Sequence, residues 1–387
     1  MVAMRIGIMG GTLDPVHSGH LQIALAAMQA LKLDRVMLLP AGDPPHKQHP
    51  TLKTDRLRMA QLAAAEVPGM FACNIEIFRK GTTYTVDTLK ELHRSNPNTE
   101  WIYLIGADTL DVLDTWRNFG EVAKLCTFAV VGRGADDASP ASMRRFEAGY
   151  GAKFLLLPFN GPEISSTEIR RRAAVGEDIS EFVSASVADY IQSHGLYLSG
   201  KSKPEILAIL KSTLKPGRYI HTLGVAETAK RLADRFGVNP AKAELAGLLH
   251  DCAKYLPLDE MRKMVKRGVL DADETELDTE SVLHAPAGMV YAQKVFGVRH
   301  PEILSAIRKH TLGDAQMSPL DALIYTADFI EPNRKSFPGL DEARKLAESD
   351  LWAATRRCAE LTNEYLIEQG KQPHLRTITM LQAGIET

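Results

Sequence analysis

The sequence predicts an α/β domain built on a parallel sheet, followed by an all-α domain. Three observations lead to this division. The chain has 387 residues, more than one ordinary domain holds. Before residue 200, β-rich runs alternate with helical patterns, as in a parallel sheet covered by helices on both faces. After residue 204, helical periodicity takes over. We therefore predict an N-terminal domain at 1–198, a linker at 199–204 and a C-terminal domain at 205–387.

The elements follow from local patterns taken in chain order. Short β-rich runs predict six strands, at residues 5–9, 35–39, 71–77, 101–105, 127–131 and 153–157. Helices between them are clearest at 21–31, 55–65 and 85–94, and in the second half at 220–236 and 241–250. The polar run SGKSKP has neither a preceding strand nor the full spacing of a phosphate loop, so we interpret it as the linker.

Composition narrows the class of protein. Hydrophobic residues make up 45% and charged residues 24%, as in soluble globular proteins. The net charge of −2 argues against a nucleic-acid partner. The four cysteines lie far apart without a CxxC pair, which fits reduced thiols in the cytoplasm. No run of 18 apolar residues and no signal peptide is present, so no membrane partner is expected. These properties predict a cytoplasmic protein that acts on small molecules and are compatible with a homo-oligomer.

The string GGTLDPVHSGH at residues 10–20 joins a predicted strand to a predicted helix. Ligands bind at such junctions in open α/β sheets. Gly10, Gly11 and Thr12 form a loop whose glycines let backbone N–H groups approach a ligand, and the helix N-terminus favours an anion. His17 and His20 are three residues apart, so both can face that anion. The string matches neither GxGxxG nor a P-loop, and it predicts a cradle for a triphosphate.

Further strings suit the same chemistry: PAGDPPHK at 40–47, GTTYTVDT at 81–88, IGAD at 105–108 with Trp116 beyond it, and ISSTEIR at 164–170. The last places hydroxyls at a helix start and Arg170 one turn later, which predicts a second anion site. Taken alone, each string is also typical of a helix cap, a core aromatic residue or a charged surface.

In this order, the strings resemble bacterial nicotinate-nucleotide adenylyltransferases of the nucleotidylyltransferase superfamily, over about residues 4–198. The resemblance implies a Rossmann-like sheet and an enzyme of NAD biosynthesis. It implies transfer of AMP from ATP to nicotinate mononucleotide, with deamido-NAD and pyrophosphate as products. The sequence departs from the family at Leu13, where Phe is usual, and at Ser184-Ala185, where a Pro pair often lies. Neither departure touches the expected chemistry.

The resemblance also implies residue roles. His17, His20 and Arg170 are expected to be catalytic by stabilising phosphate charge during in-line displacement, which needs no general base. ATP, with Mg²⁺, is expected to contact Gly10, Gly11, Thr12, His17, His20, Ser166, Thr167 and Arg170. Nicotinate mononucleotide is expected to contact Lys47, Thr83, Tyr84, Thr85, Asp108 and Trp116. Amidated nicotinamide mononucleotide or phosphopantetheine stays open as the acceptor, because the choice of acid or amide depends on backbone geometry.

The second half carries histidines and aspartates in apolar helical contexts. They lie in the strings RYIH, AGLLHDCAK, LHAPAG, AIRKHT and YTADFIEP. The candidate metal ligands are His221, His250, Asp251, His284, His310 and Asp328. Ligands on separate helices suit a site inside a helical bundle. Nitrogen and oxygen ligands without cysteine favour a catalytic Fe, Mn, Mg or Zn site over a structural zinc site.

Taken in this order, the five strings resemble HD-domain phosphohydrolases, from about residue 205 onward. The resemblance is specifically to the YqeK-type symmetrical diadenosine tetraphosphate hydrolases. The resemblance implies two transition metals, with iron the first choice and manganese, cobalt or zinc as alternatives, bridged by Asp251. It makes Asp251 and Lys254 catalytic, places Arg308 and Arg334 near the polyphosphate, and implies cleavage of a dinucleoside polyphosphate to ADP. The alternative is a non-catalytic nucleotide-sensing module.

Overall fold

The computed structural model describes residues 4–43, 50–132, 140–159, 164–268 and 270–383. The chain forms two compact units, Met1–Arg172 with Asp178–Tyr190, and Ala173–Glu177 with Ile191–Thr387. We call the first the sheet unit and the second the helical unit. Within the described ranges, no helix is both long and apolar enough to cross a membrane.

The sheet unit confirms the predicted α/β class. Its described strands form one parallel sheet in the order β3-β2-β1-β4-β5-β6, so the strand order reverses between β1 and β4. Ligands bind beyond the carboxyl ends of strands at such a reversal. The strands are β1 (Met4–Gly11), β2 (Arg35–Pro40), β3 (Met70–Ala72), β4 (Thr99–Gly106), β5 (Thr127–Gly132) and β6 (Phe154–Pro158).

Helices connect these strands, as parallel pairing requires. Ile8, Met37, Ile102 and Phe128 are fully buried between the layers, which explains why the strands read as apolar runs. The helices are α1 (Ser18–Ala30), α2 (Lys53–Ala65), α3 (Thr85–Ser95), α4 (Ala107–Leu110), α5 (Phe119–Leu125), α6 (Pro140–Tyr150), α7 (Ser166–Val175) and α8 (Ala185–Ser193), with a 3-10 turn at Leu113–Thr115.

The third strand is shorter than predicted. The pattern at 71–77 predicted a strand throughout, but β3 ends at Ala72 and the chain then turns, with the Ile77 N–H donating to the Asn74 carbonyl. The turn brings the buried Glu76 carboxylate to the Gly42 N–H (3.2 Å) and the Thr88 hydroxyl (2.8 Å). A buried carboxylate needs such donors, and this requirement outweighs strand propensity.

The helical unit is mostly helical, as predicted. Its described helices are α9 (Lys203–Thr213), α10 (Pro216–Ala233), α11 (Pro240–Leu249), α12 (Leu258–Arg267), α13 (Glu274–Asp278), α14 (Glu280–Phe296), α15 (Pro301–Lys309), α16 (Pro319–Ile330), α17 (Leu340–Leu346), α18 (Leu351–Glu368) and α19 (Leu375–Gln382), with a 3-10 turn at Asp234–Phe236. Helix α9 begins inside the predicted linker 199–204, because Ser202 and Glu205 form a capping box.

Close packing of α10 against α11 positions the histidines that these helices carry. A Cβ atom at Gly247 would lie 2.7 Å from the Cα of Ala226, so only glycine fits at this crossing. Asn239 starts α11 by accepting the N–H groups of Ala241 and Lys242. Helix α11 therefore ends at a fixed point beside α10.

Candidate active sites

The first candidate site begins at the loop after β1. His17 is the N-cap of α1 and His20 lies in its first turn. The His17 N–H donates to Nδ1 of His20 (3.2 Å). A neutral His20 in this geometry carries its proton on Nε2, which leaves that N–H group to donate to a ligand.

Burial controls the charge of both rings. It lowers the pKa of His17 to about 4. Burial and the neighbouring His17 lower the pKa of His20 to about 3. Without a bound anion, both imidazoles are therefore neutral at pH 7 and act as hydrogen-bonding groups.

The start of α7 is tied to the same loop. The Ser166 hydroxyl donates to the Pro15 carbonyl (3.0 Å). Arg170 Nη1 donates to the Asp14 carbonyl (2.6 Å), and Arg170 Nη2 donates to Thr167 Oγ1 (3.1 Å). The fold thus brings the two predicted anion-binding segments together, although they are far apart in sequence.

A cavity of about 1200 Å³ opens where β1 and β4 end. Among the predicted residues, its walls include Gly10, Gly11, His20, Thr83, Tyr84, Thr85, Asp108 and Trp116. Other predicted residues lie outside these walls, namely Thr12, His17, Ser166, Thr167 and Arg170. Lys47 lies outside the described residues.

Among the lining residues that the sequence did not predict, Tyr103 and Arg117 contact predicted ones. The ring of Trp116 meets Tyr103 edge to face at 5.5 Å, and the Tyr103 hydroxyl occupies space that a Cβ at Gly10 would fill. Arg117 also lines the cavity, and its guanidinium lies 4.5 Å from the ring centroid of Tyr84. The signal for Arg117 was its position directly after Trp116; Tyr103 gave none beyond a strand pattern.

The second candidate site lies in the helical unit. We call its six predicted ligands the histidine–aspartate cage. Asp328 is half-buried and the others are buried. The cage consists of His221 on α10, His250 and Asp251 at the end of α11, His284 on α14, His310 at the end of α15 and Asp328 on α16.

The Asp251 carboxylate lies between two histidine pairs. Its Oδ1 is 3.0 Å from His284 Nε2 and 3.6 Å from His310 Nε2. Its Oδ2 is 3.3 Å from His250 Nε2 and 3.9 Å from His221 Nε2. Each oxygen faces a different pair, which is the arrangement of a carboxylate that bridges two ions. The described residues include three overlapping groups that can hold a metal ion.

The ring nitrogens opposite the cage fix the histidine tautomers. His250 Nδ1 donates to the Gly247 carbonyl (2.7 Å), and His310 Nδ1 donates to the Ile307 carbonyl (2.8 Å). In the neutral rings, the Nε2 lone pairs therefore point into the cage. Within the described residues, His250 Nε2 and Asp251 Oδ1 are buried without a hydrogen bond. Such convergent acceptors need a cation, so the donor set fits a metal ion.

The charges of the cage agree with this fit. Burial alone would raise the pKa of Asp251, but the charge of His250 and the close histidine side chains around the carboxylate hold it well below its usual range. Burial lowers the pKa of His284 to about 4. For His250, burial lowers the pKa, but the charges of Asp251 and Asp328 and the contact with the Gly247 carbonyl together outweigh burial and raise it. A cation in the cage would take the place of the His250 proton.

Basic side chains surround the cage. Arg218 Nη1 donates to Asp251 Oδ2 (2.8 Å), and Arg334 donates to Asp328 Oδ1 (2.9 Å). The Lys254 ammonium lies 3.7 Å from Asp251 Oδ1. Arg308 pairs with the buried Glu276 (2.8 Å), and its role toward the polyphosphate stays a prediction.

Comparison with known proteins matches both units. Residues 8–172 match the family described as Cytidylyltransferase-like, and residues 218–333 match the HD domain. A "Probable nicotinate-nucleotide adenylyltransferase/Ap4A hydrolase" of Mycoplasma genitalium is 30% identical over 354 residues, which cover 90% of this chain and 94% of that protein. The chain belongs to this fusion family. Family membership confirms the resemblance of both halves and implies divalent-metal binding by the HD domain.

Single-unit relatives match each half of the chain separately. A "Bis(5'-nucleosyl)-tetraphosphatase, symmetrical" of Bacillus subtilis is 44% identical and covers 44% of this chain and 90% of its own length. A "Probable nicotinate-nucleotide adenylyltransferase" of Shouchella clausii is 38% identical and covers 50% of this chain and 96% of its own length. The fusion family thus combines two units that also occur as separate proteins.

Proposed function

We propose that the chain is a bifunctional enzyme, and that its sheet unit transfers AMP from ATP to nicotinate mononucleotide. The observation that carries this proposal is the cavity at the strand reversal. Its walls combine the two glycines that end β1, Gly10 and Gly11, and His20 with Thr83, Tyr84 and Trp116. One cavity therefore offers a phosphate-binding end and an aromatic end, as joining two nucleotides requires. The names of the relatives agree with this reaction.

The residues of the sheet unit act by position and charge. The neutral His20 donates from Nε2 to a phosphate oxygen, and Arg170 is held beside Ser166 and Thr167 to bind the departing pyrophosphate. Mg²⁺ accompanies ATP and neutralises part of its charge. Trp116 stacks on the pyridine ring, and Lys47, Thr85 and Asp108 complete the acceptor site.

For the helical unit, we propose hydrolysis of diadenosine tetraphosphate or a related nucleotide to ADP. The supporting observation is the Asp251 carboxylate, whose two oxygens face different histidine pairs. The cage would hold two transition metals, with iron first and manganese, cobalt or zinc as alternatives. When bound, these supply Lewis acids that stabilise charge on phosphate oxygens. Lys254, Arg218 and Arg334 bring positive charge to the polyphosphate.

One experiment tests both activities. The intact protein is incubated with ATP and nicotinate mononucleotide, and separately with diadenosine tetraphosphate, and the products are separated by chromatography. His20→Ala should lower only the first activity and Asp251→Asn only the second, so each variant is the control for the other. Absence of deamido-NAD in the first assay, or of ADP in the second, contradicts the corresponding half of the proposal.

The same variants separate the alternatives. If the helical unit were a nucleotide-sensing module, Asp251→Asn would change adenylyl transfer and no hydrolysis would occur in the wild-type protein. Amidated nicotinamide mononucleotide, supplied in place of the acid, tests which acceptor the enzyme uses.

We propose that the first activity belongs to residues 1–198 and the second to residues 205–387. We also propose that the protein is cytoplasmic and has no nucleic-acid or membrane partners.

A further inference from the structure

Glu331 is a buried carboxylate that the sequence analysis did not single out. It lies directly after α16, three residues beyond Asp328, and its exposed fraction is 1%. Burying a carboxylate is costly unless its oxygens accept hydrogen bonds. Its position beside the histidine–aspartate cage therefore calls for an explanation.

The contacts of Glu331 fix both of its oxygens. Oε1 lies 3.1 Å from Nδ1 of His221. Oε2 accepts the backbone N–H of Asn333 (2.7 Å) and its side-chain amide (3.0 Å). Arg344 donates to the Glu331 carbonyl (3.0 Å), which holds the backbone in place. Since the Asn333 partners are donors, Glu331 acts as an acceptor and His221 Nδ1 as the donor toward it.

His221 differs from other imidazoles of the cage in this respect. His250 and His310 donate from Nδ1 to neutral backbone carbonyls. His221 instead donates to a carboxylate, which makes its Nε2 the stronger ligand atom. That Nε2 lies 2.9 Å from Asp328 Oδ1. Two ligands at right angles, each about 2.1 Å from an ion, are about 3 Å apart, so this spacing suits a shared cation.

The helix that carries His221 also makes room for the carboxylate. Gly224 lies one turn after His221 on α10. A Cβ atom at position 224 would be 2.5 Å from Glu331 Oε2 and 2.9 Å from the Asn333 amide nitrogen. Glycine at this position is therefore what lets Glu331 reach the ring of His221.

We propose that Glu331 is a positioning residue for the metal site: it holds His221 with Nε2 toward the cage and strengthens divalent-cation binding there. The inference rests on the metal-dependent function proposed above. It concerns binding by the cage and not the identity of the nucleotide, so it can be tested without any substrate.

The test is a calorimetric titration: Mn²⁺ is added to the chelator-stripped, full-length protein, and the heat of binding is measured. Glu331→Gln keeps the shape of the side chain and removes its charge. The dissociation constant of the tightest Mn²⁺ site should rise about 10- to 100-fold. This is the usual effect of losing the group that hydrogen-bonds to a metal ligand. Glu276→Gln is the matched control, because Glu276 is also a buried glutamate of the helical unit but pairs with Arg308 and Arg376.

The outcomes are distinct. Mn²⁺ binding by Glu331→Gln within twofold of the wild-type protein overturns the proposal, as does an equal loss in Glu276→Gln. If the wild-type protein binds no Mn²⁺, the metal function itself is wrong.

A second measurement needs no Glu331 variant. In the Zn²⁺-loaded wild-type protein, the Nδ1 proton of His221 should give a downfield, slowly exchanging NMR signal, identified by its loss in His221→Asn. Rapid exchange of that proton with water contradicts the hydrogen bond to Glu331.

Discussion

The imidazole rings of His17 and His20 lie 3.7 Å apart, centroid to centroid, with their planes inclined by 39°. The N–H of His17 donates to Nδ1 of His20, so the helix start itself sets the orientation of the second ring. The pair therefore depends on the cap of α1, and each ring constrains the other.

Removal of the second ring should impair adenylyl transfer without unfolding the sheet unit. His20→Ala removes one donor to the phosphates, and we expect turnover to fall by about 10²-fold or more. Steady-state kinetics with ATP and nicotinate mononucleotide measure this effect. His194→Ala, at an exposed position, is the control. Near-normal turnover in purified His20→Ala would contradict the assignment.

The lowered pKa values of His17 and His20 predict an acid-sensitive fold. The unfolded rings bind protons near pH 6.5, whereas the folded rings have pKa values of about 4 and about 3. Between these limits the unfolded chain binds more protons, so the folded state loses stability as pH falls from about 6.5 toward 4. Urea unfolding at pH 7.5 and pH 5 measures the loss. The double variant His17→Ala with His20→Ala should lose less stability; identical pH dependences in both proteins would refute this explanation.

Trp116 should matter for the acceptor more than for ATP. If its indole stacks on the pyridine ring, Trp116→Ala removes about 1–3 kcal/mol, the scale of base–aromatic stacking. The KM for nicotinate mononucleotide should rise about 10- to 100-fold, with little change in the KM for ATP. Trp116→Phe retains an aromatic face against Tyr103 and should lose less. An equal rise in both KM values would point to a collapsed cavity instead.

Metal removal should destabilise the helical unit. Without a cation, the acceptor atoms around Asp251 repel one another. A bound ion also stabilises the folded state by mass action, by about 2.7 kcal/mol when its concentration is 100 times its Kd. We expect chelation to lower the Tm of the wild-type protein and Mn²⁺ to restore it, as followed by calorimetry. In Asp251→Asn the carboxylate charge at the centre of the cage is gone, and the Tm should respond little to either treatment. A wild-type Tm that is insensitive to chelation would argue against the cage.

Local sequence was sufficient for the features that depend on periodicity. The apolar runs around Ile8, Met37 and Phe128 predicted strands because parallel strands are buried on both faces. The candidate ligands of the cage could be predicted because His250 and Asp251 end an apolar helix in a recognisable string. The resemblance to known families, and not spacing alone, supplied their roles.

Features that depend on distant neighbours were missed. The 71–77 run gave no sign that Glu76 would turn inward toward Gly42 and Thr88. Tyr103 and Glu331 likewise reach their positions only because glycines on other elements leave room for them. Gly10 makes room for the Tyr103 hydroxyl, and Gly224 makes room for the Glu331 carboxylate. Such complementarity exists only in three dimensions, so a single sequence does not reveal it.

The space that Gly224 leaves for Glu331 has an evolutionary consequence. The residues at the two positions depend on each other. Any larger residue at 224 collides with the Glu331 carboxylate, and a shorter residue at 331 leaves room for a side chain at 224. Among descendants of this fusion, the two sites should therefore change together or not at all. A lineage that abandoned Glu331 would be free to replace the glycine with a residue that favours helix.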